Sequence, residues 1–115
     1  MQTKSSASNS RVRQFVTDKA AATSFYIEGM LAGHLPFDEL QIFIWDTLEE
    51  WHQLHIDSHY VCEREKVMWH LFHLLERWPE SALRGNVFLR KQLQDGCSFL
   101  KQEGPMLSQC LGVRP

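Results

Sequence analysis

Apolar residues recur at helical spacing through a long stretch without breakers. Between Gly33 and Gly85 there is no glycine, and the only prolines there, Pro36 and Pro79, stand near its ends. Such a stretch reads as two long helices joined near Ile56 to Ser58. Projected at about 100° per residue, Phe37, Leu40, Ile44, Leu48, Trp51 and His55 share one side of a helix over 36–55. Asp38, Glu39, Asp46, Glu49 and Glu50 fall on the other side. Pro36 suits a first turn, and Asp38 and Glu39 suit the positive end of the helix dipole. Asp57 or Ser58 can cap the next helix, over 59–78, which stops before Pro79. Its apolar arc is Tyr60, Val61, Val67, Met68, Leu71, Leu74, Leu75 and Trp78. Two helices joined by so short a connection form an antiparallel hairpin.

The flanks add further helices. Arg11 to Leu31 carries Phe15, Ala22, Phe25 or Tyr26 and Leu31 near one side, with Gly29 and Gly33 loosening its end. Gly85 breaks the pattern and Asn86 caps a last helix, Val87 to about Glu103, built on Leu89, Leu93, Phe99 and Leu100. Gly96 inside it marks a kink or a close helix contact, because glycine there costs about 1 kcal/mol relative to alanine. Gly104-Pro105 ends it. The expected fold is all-α, a small bundle of about four helices built on the 36–55 and 59–78 hairpin. The polar, Ser-rich start (1–10) reads as disordered, 11–104 as one helical domain, and 105–115 as an irregular tail.

Composition narrows the class. A chain of 115 residues with 43% hydrophobic and 23% charged residues can bury a single core without staples. No apolar run approaches the roughly 20 residues of a membrane span. Cys62, Cys97 and Cys110 follow no familiar disulfide or knuckle spacing, and no secretory leader precedes them, so a soluble cytoplasmic protein with free thiols is expected. The net charge of −2 hides an asymmetry: Glu28 to Glu65 holds nine carboxylates and one base, Arg64. That pattern describes a folded protein with one acidic face.

Against this background, a few side chains carry candidate chemistry. Ile42 and Trp45 lie on the acidic side of their helix, and Trp69 lies opposite its helix's apolar arc. An exposed indole leaves apolar area unburied, so either neighbouring helices cover these residues or they form an association surface. Asp38, Asp46 and Glu49 would rim that surface and favour a basic partner. The leading expectation is therefore a small interaction protein, an adaptor or regulator, binding a protein partner or itself through Ile42, Trp45 and Trp69, with no cofactor.

The alternative is a metal-binding helical protein. His52, His55, His59 and Cys62 cluster at the helix joint, and imidazole and thiolate suit zinc or a related transition-metal ion. Their spacing matches no standard zinc module, and histidines in a last helical turn also cap free carbonyls. Glu49-Glu50-Trp51-His52 is a single Glu-x-x-His, where a di-iron bundle needs two. Arg64, inside an apolar arc, is a candidate for an anion site or a buried ion pair. A DNA-associated regulator ranks third, since Arg84, Arg90, Lys91 and Lys101 form no continuous stripe. Enzymatic function ranks last: the chain holds no Gly-rich phosphate loop, no nucleophile elbow and no Cys-x-x-Cys.

Overall fold

Glycine and proline mark several of the element boundaries. The computed structural model describes residues 3–115, with side chains from residue 9 onward. The described residues form five helices: α1 (Thr3–Leu31), α2 (Phe37–Leu54), α3 (Glu63–Arg77), α4 (Glu80–Gly85) and α5 (Val87–Leu100). There is no strand among the described residues. α1 begins at Thr3 rather than Arg11, so helical backbone overlaps the segment 1–10 expected to be disordered; residues 1 and 2 lie outside the described part. α4 is the one helix without a counterpart in the sequence reading, a short piece between Pro79 and Asn86.

The turns use the expected residues. Gly33 leaves α1 with φ +79, a conformation that costs glycine little. Pro36 immediately precedes α2, and Asn86 caps α5 by accepting from the Leu89 N–H at 3.0 Å.

α1 packs against α2, α3 and α5, while α5 also packs against α3 and α4. α2 and α3 make little direct backbone contact, and large rings bridge them. Phe43 faces Phe72 at 6.2 Å between centroids, and Trp51 faces Trp69 at 5.2 Å. These pairs advance along α2 while receding along α3, and α1 packs on both helices. Phe15 of α1 joins them, 5.3 Å from Trp51 and 6.4 Å from Trp69. Gly96 is a close contact between helices: a Cβ there would lie 2.5 Å from Leu71 Cδ2.

The joint differs from expectation. α3 starts at Glu63, not 59, so residues 55–62 form a longer connection and neither Asp57 nor Ser58 caps the helix. Ser58 is buried; its hydroxyl accepts from Tyr60 N–H at 3.0 Å and contacts Asn9 of α1. The carbonyls of Ser58 and Tyr60 accept from the Arg114 guanidinium, a partner no local helix would leave room for.

The tail after α5 has no helix or strand, but it is not loose. Residues 106–114 run as a strap over α3. Cys110 Sγ donates to Lys66 O at 3.3 Å, and Leu111 N–H donates to His70 Nδ1 at 3.3 Å. A Cβ on Gly112 would lie 2.3 Å from Lys66 Cα, so only glycine fits this approach.

Candidate interaction surface

α2 presents two chemically opposed faces. Leu40, Ile44, Thr47 and Trp51 are buried. Asp38, Ile42, Trp45, Asp46 and Glu49 point outward from the other side. Ile42 is 56% exposed and Trp45 73%, so no neighbouring helix covers them. Asp38, Asp46 and Glu49 make no ion pair among the described residues, whereas the adjacent Glu50 pairs with Lys19 at 2.8 Å. A shallow groove of about 410 Å³ lies between Asp38, Gln41, Ile42, Trp45 and Asp46. The arrangement offers an indole and an aliphatic side chain ringed by unpaired carboxylates, chemistry suited to gripping an apolar segment that carries positive charge.

Trp69 does not belong to this surface. It is 1% exposed, enclosed by Phe15, Trp51 and Phe72, and its Nε1–H donates to Glu65 Oε2 at 2.8 Å. The projection that placed it outward assumed one buried arc on α3. That helix is buried on two sides, by α1 and α2 around Trp69 and by α5 around Leu71.

Arg64 makes no ion pair among the described residues, and its buried Nε has no hydrogen-bond partner there. The guanidinium donates to Leu100 O at 3.3 Å, satisfying a carbonyl at the end of α5. The buried ion pair lies one residue further on, between Glu65 (0% exposed) and Arg114.

The joint does not bring His52, His55, His59 and Cys62 together. Among the described residues no three His, Cys, Asp or Glu side chains are grouped closely enough to hold a metal ion. The three histidines are exposed, and Cys62 is half-buried. The other two thiols are poor nucleophiles. Burial, reinforced by nearby Glu28, pushes the Cys97 thiol up to about 12, and burial raises Cys110.

A second apolar surface escaped the sequence reading. A groove of about 860 Å³ has Trp78, Phe88, Leu111 and Val113 among its walls. Phe88 is 67% exposed and Trp78 40%. Phe88 carried a signal: it stands off the Leu89, Leu93 and Leu100 stripe. Trp78 was assigned to an apolar arc, but α3 ends at Arg77, and the extended backbone at Trp78 leaves the indole half open. Leu111 and Val113 lie in a segment without periodicity and could not be placed from sequence.

Among the described residues, no helix is long and apolar enough to cross a membrane. Among known proteins, no family model matches the chain, and no curated protein or solved structure matches it.

Proposed function

We propose that this chain is a small helical interaction protein, an adaptor or regulator that binds a protein partner or a second copy of itself through the outward face of α2. One observation carries the reading: Ile42 and Trp45 are exposed side by side on a helix whose flanking carboxylates, Asp38, Asp46 and Glu49, have no partner among the described residues. A Trp at such a position is a typical interface anchor, and unpaired charge around it raises the rate of encounter with an oppositely charged surface. Three unpaired cysteines, one of them in the core, suit a reducing compartment, and we place the protein in the cytoplasm on that ground.

The test compares the wild-type chain with Trp45→Ala and Ile42→Asp as bait, with helicity monitored by circular dichroism. The expected outcome is a bound protein, or a second copy, retained by the wild type and lost from both variants at unchanged helicity. Equal retention by all three, or no association of any kind, sinks the reading.

A further inference from the structure

His70 is buried, whereas His34, His52, His55, His59 and His73 are exposed, and both of its ring nitrogens are engaged. Nδ1 accepts from the Leu111 N–H of the strap at 3.3 Å, and Nε2 lies 3.1 Å from Gln92 Oε1 on α5. The two partners ask for the same ring. A backbone N–H can only donate, so Nδ1 must be bare. A neutral imidazole then carries its hydrogen on Nε2, where the Gln92 carbonyl oxygen accepts it. Adding a proton leaves the Gln92 bond intact but makes Nδ1 a second donor. It then faces the Leu111 N–H, donor against donor, at the one ring atom that holds the strap.

His73, one turn further along α3, has no such conflict. Its Nε2 lies 3.2 Å from Val113 O, and it can donate to that carbonyl whether the ring is neutral or charged.

No neighbouring group is placed to compensate a charge on His70. His73, Glu76 and Arg77 of α3 and Cys110 of the strap line the grooves on either side of it. Glu76 is the one carboxylate among them, and it lies six positions on, roughly 9 Å of helix rise. Lys66, one turn before His70, is itself a base, and Cys110 meets its backbone carbonyl. From α5 come Phe88, Leu89 and Gln92, none of which titrates, and Asp95, a turn past Gln92, is paired with Lys91 at 3.2 Å.

We infer that His70 is a pH-sensitive latch on the strap. Neutral, it holds Leu111 against α3; protonated, it releases that segment, while Arg114 keeps its charge and tethers the end of the chain. A strap that is held excludes the proton and a strap that is lifted admits it, so the lifted form gains as pH falls. Leu111 is a wall common to the grooves of about 860 Å³ and about 450 Å³ between α3 and α5, so the latch also sets the shape of that surface. The inference is independent of the binding role proposed for α2.

Amide hydrogen exchange of the untagged full chain tests this, read at Leu111 by NMR as protection over the denatured chain at the same pH. Protection should fall about tenfold from pH 7.5 to 5.5, the change for one proton taken up by a solvated imidazole on opening. Long-range ring correlations should place the His70 hydrogen on Nε2 at neutral pH. His70→Asn sets an amide oxygen where Nδ1 stood, and should hold Leu111 without the pH response. His73→Gln should respond as the wild type does.

A His70 hydrogen on Nδ1 at neutral pH overturns the latch, and that measurement needs no variant to fold. Protection in the wild type that is indifferent to pH overturns it too. So does an undiminished response in His70→Asn, which would assign the proton to another group, or a response lost in His73→Gln.

Discussion

Arg114 closes over Glu65, 49 positions earlier in the chain, and every guanidinium nitrogen is engaged in doing so. Nε and Nη2 donate to the two carboxylate oxygens, Nη1 donates to Ser58 O at 2.7 Å, and Nη2 also reaches Tyr60 O. The guanidinium carbon lies 5.0 Å from the centre of the Trp51 ring. One side chain thus ties the strap to α3, to the α2–α3 joint and to the aromatic core. The planar fork of arginine makes this possible, since a point charge cannot serve four acceptors in different directions.

The consequence for stability is sharp. Arg114→Ala leaves the Glu65 carboxylate fully buried with only the Trp69 indole N–H as a partner. Breaking a buried pair in this way costs about 3 kcal/mol. Arg114→Lys should recover only part of the loss. Adding Glu65→Gln to Arg114→Ala should cost less than the sum of the two single changes, because the uncompensated charge is gone. Urea unfolding measures all of these. A loss under about 0.5 kcal/mol for Arg114→Ala would show that water replaces the guanidinium freely.

The two tryptophans once grouped together should behave oppositely. Trp69→Ala removes a fully enclosed ring and the N–H donor to Glu65, and should destabilise by about 3–5 kcal/mol. Trp45→Ala removes a ring that is 73% exposed and should change the stability of the isolated chain by less than about 0.5 kcal/mol. Denaturant midpoints, taken at a concentration where the chain is monomeric, check the contrast; similar losses for both would mean Trp45 is covered in solution.

The difference between what was legible and what was not follows from range. α2 has one wet face and one dry face, so its periodicity fixed both the buried Leu40, Ile44 and Trp51 and the exposed Ile42 and Trp45. Asn86 and Gly33 act on their immediate neighbours and were equally legible. α3 has no wet face around Trp69, and a single-arc projection fails there. The start of α3 was misplaced because Ser58 and Tyr60 give their carbonyls to a residue more than fifty positions away. Part of the second apolar surface was hidden for the same reason: Leu111 and Val113 gain their places from contacts between strap and helix, not from any local pattern.

Glycines test the close approaches. At Gly96 a methyl group would meet the Leu71 side chain, closer than any real contact, but Leu71 is a side chain that can turn. The helix-propensity gain of about 1 kcal/mol is then set against overpacking of about 1–3 kcal/mol, and Gly96→Ala should be mildly destabilising. At Gly112 the obstacle is the Lys66 backbone at Cα and carbonyl, which cannot move without distorting α3. Gly112→Ala should therefore lift the strap, seen as faster proteolysis around 105–114 and faster alkylation of Cys110. Protection equal to the wild type would mean the strap does not sit against α3 as described.

Cys97 gives a prediction in pH. Its thiol is pushed up to about 12, chiefly by burial and next by Glu28, against a partial offset from Lys101 and the Ser24 hydroxyl. In the unfolded chain the thiol ionises at its ordinary value, 9.0. Between these values the unfolded state holds fewer protons than the folded one, so stability falls as pH rises from about 9 towards 12, and the contribution is complete below 9. Cys97→Ala should lower stability at neutral pH by opening a small cavity, yet flatten this alkaline decline. In the folded protein at mildly alkaline pH, Cys97 should resist an alkylating reagent that modifies Cys62, while all three cysteines react in denaturant. Rapid native alkylation of Cys97, located by peptide mapping, would mean that the core around α5 opens far more readily than its packing against α1 and α3 implies.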